Sequence, residues 1–222
     1  IIDKNYEKGF IEVESGIRLI NLYNSLIKND YVIKSLPGYY NISVGGIIAG
    51  NTHGKNHYRN GCFYNSVISL NLFHPDNGII HCSRDINSEL FDLTVGGFGL
   101  TGIILNAKIK LSPLHKGSAT SKSVYMSNIN DTIASLYKLK DKAETIISWN
   151  NLSGSSKNFG EGALMYSTPS NANNKELIKN PKLLNPHKEI FNLKLFNRQT
   201  IPLINKLFLY HTLYTPKIKK EP

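Results

Sequence analysis

The first part of the chain alternates between strand-like and helix-like patterns of apolar positions. Apolar and acidic side chains alternate over 10–14, which predicts a half-buried strand. Apolar positions recur at helical spacing over 17–28 and predict an amphipathic helix. A short extended piece, 31–36, then leads to Pro37 and Gly38, a turn pair that reverses the chain.

Further along, the pattern predicts a β-hairpin, a helical turn and a strand. Period-two apolar character over 63–73 and the run 79–83 are separated by a tight connection, His74 to Gly78, and predict the hairpin. Residues 87–92 predict a helical turn that continues toward Thr94. Residues 103–111 alternate between apolar and polar positions and predict a strand.

A turn-rich stretch, 112–121, separates this pattern from a second one. Beyond it we expect strands over 123–127, 145–152 and 162–167, a helix over 129–142 capped by Asn130 or Asp131, and a helix over 200–214. The Asn-, Lys- and Pro-rich segment 169–186 is predicted to be mobile. The fold class is therefore α+β, with domains over 1–112 and 113–222.

The segment from Leu36 to Gly61 fits neither ordinary core nor ordinary surface. Its six glycines interrupt a short apolar run, 44–49, and glycine is favoured where a backbone turns through positive φ or approaches a ligand closely. Ser43 predicts an N-cap for a short buried helix over 44–50, whose first N–H groups would attract phosphate. The polar string after it presents His53 and Lys55. We predict a cofactor-binding segment here.

Residues 97–102 match the dinucleotide-binding pattern G-x-G-x-x-G letter for letter. That fingerprint requires a strand before the glycines and a helix after them. Here a helical turn precedes them and a strand follows, so the sequence excludes a Rossmann NAD site. We expect instead a loop that passes close to a cofactor held elsewhere, with Ile104 entering the strand beside it.

Two strings together, ISVGGIIAGNTHGKNH and ELFDLTVGGFGLTGIILNAKIKL, resemble the FAD-binding (PCMH-type) domain of vanillyl-alcohol-oxidase flavoenzymes. Within that superfamily the resemblance is greatest to the decaprenylphosphoryl-β-D-ribose 2′-oxidases, and it extends over about residues 1–165. It implies that 1–112 is the second half of an FAD-binding domain and that the remainder begins a substrate (cap) domain. We expect the family's N-terminal FAD subdomain and the end of its substrate domain to be absent, and this chain alone to be inactive.

The resemblance also implies roles for individual residues. It places the catalytic groups at His53 and Lys55, and substrate contacts at Lys55 and Trp149. Near Trp149 the match is looser, because a serine expected two positions earlier is Ile147. The implied FAD contacts are Gly38, Ser43, Val44, Gly45, Gly46, Gly50, Asn51, Thr52, His53 and Ile104.

The implied reaction is FAD-dependent oxidation of a sugar or polyol hydroxyl by hydride transfer to flavin, in the supply of a cell-wall polysaccharide precursor. Sugar-lactone or alditol oxidation within the same superfamily stays open. The implied partners are a sugar or polyol substrate, lipid-phosphate linked in one version, and a partner reductase. Peripheral membrane contact and a cytoplasmic or membrane-peripheral location are compatible with the absence of a targeting segment.

Composition adds one alternative of another class. A net charge of +10 and a pI of about 9.5 are compatible with a module that binds nucleic acid or anionic lipid. The lysines are spread along the chain, however, without the aromatic–basic motif of a known nucleic-acid reader, so we expect no nucleic-acid partner. Cys62 and Cys82 have no disulfide or metal spacing and are predicted to be free thiols. His53 and His57 lack the glutamate of a zinc-protease site, so no metal is expected.

Overall fold

The structure is a computed structural model that describes residues 1–114, 118–153, 158–170 and 197–214. It divides into two compact units: the first comprises the described residues up to 114, and the second comprises those from 118 onward. Each unit has its own sheet and its own helices.

The first unit is built on a five-stranded sheet in which every neighbouring pair is antiparallel, in the order β1-β2-β6-β4-β5. A second pairing joins the short strands β3 and β7. The strands are β1 (Asp3–Asn5), β2 (Phe10–Glu14), β3 (Tyr31–Val32), β4 (Val67–His74), β5 (Gly78–Ser83), β6 (Ile103–Lys110) and β7 (Ser112–Pro113). The helices are α1 (Leu19–Ile27), α2 (Val44–Ala49), α3 (His57–Asn60) and α4 (Ser88–Thr94), with a 3₁₀ turn at Phe63–Ser66.

One face of this sheet carries the core. Along β2 and β6, side chains point alternately to the two faces of the sheet, and the buried apolar ones point toward the helices. The helical period of α1 places its apolar side chains in one stripe, which is buried against the same core. Short α2 is anchored because Val44, Ile47 and Ile48 are fully buried. The shared core includes Ile11, Val13, Leu22, Leu26, Ile47, Ile48, Phe63, Leu70, Phe91 and Ile109.

The second unit packs two helices on a three-stranded antiparallel sheet of order β8-β10-β9. Its elements are β8 (Ser118–Met126), α5 (Ile129–Leu139), β9 (Thr145–Asn151), β10 (Glu161–Ser170) and α6 (Ile201–Tyr214). Mixed helices and antiparallel sheets in both units confirm the α+β class. None of the helices in the described ranges has the length and apolar character needed to cross a bilayer.

Most predicted elements are confirmed within a few residues, and four details are wrong. Strand β8 begins at Ser118, inside the stretch 112–121 that the sequence predicts to be turn-rich. Phe63–Ser66 forms a 3₁₀ turn instead of the start of the hairpin strand, and strand β3 ends at Val32 rather than continuing to residue 36. The cap of α5 is Asn128, whose side chain accepts a hydrogen bond from the Asp131 N–H (3.0 Å). Of the segment predicted to be mobile, residues 171–186 lie outside the described residues, and Pro169 and Ser170 end β10.

Candidate cofactor-binding site

Helix α2 begins as the sequence predicts, with Ser43 as its N-cap. The Ser43 hydroxyl accepts a hydrogen bond from the Gly46 N–H (3.1 Å). The two preceding amides are also paired: Val44 donates to a carbonyl 2.9 Å away and Gly45 to one 2.8 Å away, and the acceptors belong to Ile17 and Ser15.

The first three amides of α2 are therefore all used inside the protein. They have no partner within the helix, as expected, but the prediction that they are available to hold phosphate is wrong here. The reason is tertiary: the chain entering α1 runs beside Ser43, and its carbonyls take the donors that a ligand would need. The FAD contacts implied for Ser43 to Gly46 stay predictions, and of these four residues Gly46 is the most exposed.

The C-terminal end of α2 meets the second glycine-rich segment. The Gly96 N–H donates to the carbonyl of Ile48 and the Phe98 N–H to that of Ala49, with an N–O distance of 3.0 Å in each bond. We call residues 96–102 the second glycine loop. At Gly97 a Cβ atom would overlap the carbonyl oxygen of Leu93, so the close turn there requires glycine. The structure thus joins the two motifs that the sequence separates by about forty residues.

Gly50, Asn51 and Thr52 carry the chain out of α2. Asn51 adopts a left-handed conformation (φ 38°), and its side-chain oxygen accepts a hydrogen bond from the Tyr64 N–H (3.0 Å). The carbonyl of Thr52 accepts from the Phe63 N–H (2.8 Å). These bonds fix the exit of α2 to the 3₁₀ turn, so the residues that follow begin from a rigid support.

His53, Lys55 and His57 have exposed side chains at the edge of this support. The rings of His53 and His57 stack with centroids 5.1 Å apart and an interplanar angle of 27°. The Sγ atom of Cys62 lies 3.4 Å from Nε2 of His57, and Cys62 pairs with His53 through an isolated β-bridge. Imidazole, ammonium and thiol groups are therefore gathered on one loop. Among the described residues, no set of three or more His, Cys, Asp or Glu side chains could hold a metal ion.

Two other predicted contacts differ in accessibility. Gly38 is exposed, and a Cβ atom there would meet nothing within 4 Å. Ile104, in contrast, pairs with Leu72 in the sheet and is only 8% exposed. A ligand could therefore approach Gly38 from open space, whereas Ile104 offers little beyond its main chain.

Trp149 lies on β9 of the second unit. Its ring packs against Phe208 of α6, with centroids 4.9 Å apart and an interplanar angle of 48°. The indole is partly exposed. Trp149 thus contributes to packing within its own unit, and its assignment as a substrate contact stays a prediction.

Sequence reasoning missed Arg84, which holds the backbone at the 3₁₀ turn next to the site. Its guanidinium donates to the carbonyls of Tyr64 and Val67, with an N–O distance of 2.7 Å in each bond. The guanidinium carbon also lies over the Tyr64 ring, 4.6 Å from the ring centroid. Tyr64 in turn donates to Asp92, which together with burial raises the pKa of its phenol. A signal was present: Arg84 is one of four arginines among 26 basic residues, and only arginine offers two donors in a fixed fork.

The segment can be tested against FAD by the polar groups it leaves unpaired. Among the described residues, the buried hydroxyl of Thr52 is one of two buried side-chain polar atoms without a hydrogen-bond partner. Buried hydroxyls are normally paired, so an orphan beside exposed His53 and Lys55 fits a polar ligand. The small residues of the loop and the nearby second glycine loop fit close approach by a large flat group. The residues therefore fit FAD, although the first amides of α2 do not fit its diphosphate.

Comparison with known proteins agrees with this assignment. Residues 1–83 match a family model described as FAD binding domain. Decaprenylphosphoryl-beta-D-ribose oxidase of Mycolicibacterium smegmatis is 34% identical over 125 residues, which are 56% of this chain and 27% of the relative. L-gulonolactone oxidase of Mus musculus is 26% identical over 138 residues, 62% of this chain and 31% of the relative. Cytokinin dehydrogenase 1 of Arabidopsis thaliana is 31% identical over 104 residues, 47% of this chain and 18% of the relative.

The first unit is therefore similar to part of the FAD-binding domain of flavoproteins. This chain spans less than a third of the length of each of these three relatives. The similarity is to PCMH-type flavoenzymes, and FAD is the cofactor that these comparisons support.

Proposed function

We propose that the chain is part of an FAD-dependent oxidoreductase that oxidises a hydroxyl group of a sugar or polyol. The observation that carries the proposal is the exposed loop bearing His53 and Lys55, which is fixed to α2 next to the second glycine loop. Two of the relatives are named as oxidases, of a decaprenylphosphoryl ribose and of a gulonolactone, and a third is named a cytokinin dehydrogenase.

Bound FAD would supply the electron sink that accepts a hydride from the substrate carbon. The protein has to orient that carbon and handle the hydroxyl proton. The exposed imidazole of His53 can contact the flavin or accept a hydrogen bond from the reacting hydroxyl, and its stacking on His57 limits rotation of the ring. The ammonium of Lys55 would place positive charge beside the reduced flavin or a substrate phosphate.

The first experiment asks whether a purified full-length version of the protein binds FAD. We expect a visible flavin spectrum and quenched flavin fluorescence after titration with FAD. A protein that stays colourless and leaves FAD fluorescence unchanged would remove the proposal. The alternative would then be a basic module for nucleic acid or anionic lipid, with which the net charge of +10 is compatible.

The second experiment identifies the substrate class. Anaerobic mixing with pentosyl phosphates, sugar lactones and alditols should bleach the flavin with the true class only. A lipid-linked substrate and a partner reductase belong to the same proposal. If the reduced flavin passes its electrons to a partner protein, its reoxidation by molecular oxygen should be slow. Bleaching by a cytokinin and by no hydroxyl substrate would contradict the proposed chemistry.

The third experiment tests the role of His53. His53→Ala should lower the rate of flavin reduction by about 10²-fold or more, in the range of general acid–base groups. His74→Ala is the matched control, because His74 is a histidine at the hairpin turn that contacts the Asp76 N–H (3.2 Å). Equal rates for both variants would exclude the role proposed for His53.

A further inference from the structure

Helix α6 of the second unit presents a row of apolar side chains to solvent. They recur at intervals of four, three and four residues, so they form a single stripe along the helix. We call them the outer stripe of α6: Leu203, Leu207, Tyr210 and Tyr214. Each of these four side chains is between 61% and 69% exposed. The two tyrosine rings lie with their centroids 4.9 Å apart, which makes this end of the stripe continuous.

The opposite side of α6 is mixed in character and faces the rest of its unit. The helix packs on β8 and β10, and Thr212 is the one buried residue among its fourteen. The side-chain amide of Asn205 donates to Oδ1 of Asn151 (2.8 Å), and Ile204 and Leu209 are half-buried. An ordinary surface helix turns its apolar stripe inward and its polar face outward. On α6 the most exposed face is instead apolar, which marks a surface that a partner covers.

The net positive charge of the chain is concentrated in the same half of the sequence. Residues 113–222 contain 16 lysine and arginine residues and 7 acidic residues, a net charge of +9, whereas residues 1–112 contain 10 and 9, a net charge of +1. Around α6 the balance is more one-sided: residues 190–220 contain six lysine and arginine residues and no acidic residue. A half with this charge is attracted to an anionic surface.

Polar side chains border the outer stripe on both sides. Lys206 and His211 are exposed, and they are offset from Leu203 in opposite directions by roughly 60–80° about the helix axis, at about 100° per residue. A lysine in this place can keep its ammonium among lipid headgroups while its methylene stem follows the apolar side chains inward. Tyrosine is enriched at the same depth of a membrane, because its ring is apolar and its hydroxyl is polar. The border and the stripe therefore suit a headgroup layer.

We propose that the outer stripe of α6 docks on the surface of a membrane that contains anionic lipids. Burial of apolar side chains and attraction of basic residues to anionic headgroups together hold an interfacial helix of this kind. The two leucines favour lipid over nucleic acid as the occupant, because aliphatic side chains gain by leaving water and cannot stack on bases as aromatic rings do. The proposal does not rest on the proposed oxidoreductase function.

The test is co-sedimentation of the full-length protein with lipid vesicles. Vesicles of phosphatidylcholine alone are compared with vesicles in which a third of the lipid is phosphatidylglycerol. We expect binding to the anionic vesicles to be tighter by about ten-fold or more, because each basic residue near the surface contributes about five-fold, and high salt should reduce the difference. In hydrogen exchange of the unchanged protein, anionic vesicles should slow exchange over 201–214 and leave α5 unaffected.

Variants locate the docking face. Tyr210→Gln and Leu207→Gln should each weaken binding to anionic vesicles by roughly five- to ten-fold, because a large apolar group no longer leaves water. Tyr137→Gln is the matched control and should leave the affinity unchanged, since Tyr137 lies on α5 of the same unit and is 69% exposed against 66% for Tyr210. Lys206→Gln should weaken binding about five-fold. All these side chains are exposed, so circular dichroism should show wild-type folding for each variant.

Four results would overturn the proposal. Failure to bind vesicles, or equal binding to neutral and anionic vesicles, would exclude an anionic membrane as the partner. Equal weakening by Tyr210→Gln and Tyr137→Gln would place the docking face outside α6. Unchanged hydrogen exchange over 201–214 in vesicle-bound wild type would exclude α6 even if a variant failed to fold. A dimer in analytical ultracentrifugation that Tyr210→Gln converts to a monomer would show that a second copy of the chain covers the outer stripe.

Discussion

Gly97 offers the sharpest test of the contact between the second glycine loop and α2. A methyl group at this position would overlap the carbonyl oxygen of Leu93, which belongs to the backbone of α4 and cannot swing away like a side-chain tip. Gly97→Ala must therefore displace the loop. This displacement strains or breaks the hydrogen bonds that Gly96 and Phe98, the neighbours of Gly97, donate to α2, each with an N–O distance of 3.0 Å.

The expected cost follows from these two effects. Overpacking of a tight site costs about 1–3 kcal/mol, and each weakened backbone hydrogen bond adds about 0.5–1.5 kcal/mol. We therefore expect Gly97→Ala to lower the free energy of unfolding by about 2–6 kcal/mol. If the first unit unfolds as one cooperative domain, its melting temperature should fall by roughly 10 °C or more, because ~1 kcal/mol shifts a domain of this size by about 4–8 °C.

Two other glycines provide controls with separate physical causes. Gly99 has a positive φ of 83° but no neighbour that a Cβ atom would meet, so Gly99→Ala should cost only the conformational strain, about 1 kcal/mol. Gly16 has neither feature, and Gly16→Ala should be neutral or slightly stabilising. Urea denaturation followed by circular dichroism measures all three.

Flavin titration of the same variants connects this stability effect to the site. Gly97→Ala should weaken FAD binding because the loop leaves α2, whereas Gly16→Ala should not. A Gly97→Ala protein as stable as wild type, or destabilised no more than Gly99→Ala, would refute the steric reasoning.

Three further predictions test single contacts. Iodoacetamide at neutral pH should label half-buried Cys62 in the native protein and spare Cys82, because Cys82 is fully buried and burial raises the pKa of its thiol. Peptide mass spectrometry gives both labelling rates, and equal rates would contradict the structure. Ser43→Ala should lower the unfolding free energy by about 1 kcal/mol through loss of the N-cap, measured by urea denaturation, and no loss would argue against the cap. Burial raises the pKa of the Tyr23 phenol. The stability linked to the neutral phenol should therefore be fully present below pH ~10 and decline as the pH rises beyond it. Tyr23→Phe should reduce that decline, measured by urea denaturation at each pH.

The elements of the first unit could be predicted because local pattern and tertiary environment agree there. The alternation over Phe10–Glu14 and Ile103–Lys110 reflects a sheet with one buried face, and the stripe on α1 faces that same side. The rejection of a Rossmann site from the order of helix, glycines and strand is confirmed by α4 and β6 on either side of the second glycine loop. Both cysteines are free, as the sequence predicts.

Where the prediction is wrong, the cause is a contact between distant parts of the chain. Phe63 has the apolar character of a strand residue, yet its N–H donates to the Thr52 carbonyl and its side chain is fully buried beside α2, which holds the 3₁₀ turn. Arg84 and its two carbonyl acceptors lie 17 and 20 residues apart in sequence. Neither contact has a periodic signature, so pattern analysis could not reveal it.

The start of α2 shows most clearly how folding and cofactor binding compete for the same groups. A serine followed by Val-Gly-Gly predicts both an N-cap and an anion site, since both depend on amides without partners inside the helix. The structure assigns those amides to the cap and to the chain entering α1. Loss of FAD binding in a Ser43 variant would therefore be informative only after correction for the fraction of folded protein. The chemistry of the site then depends on what α2 supports at its other end: the His53–Lys55 loop and the second glycine loop.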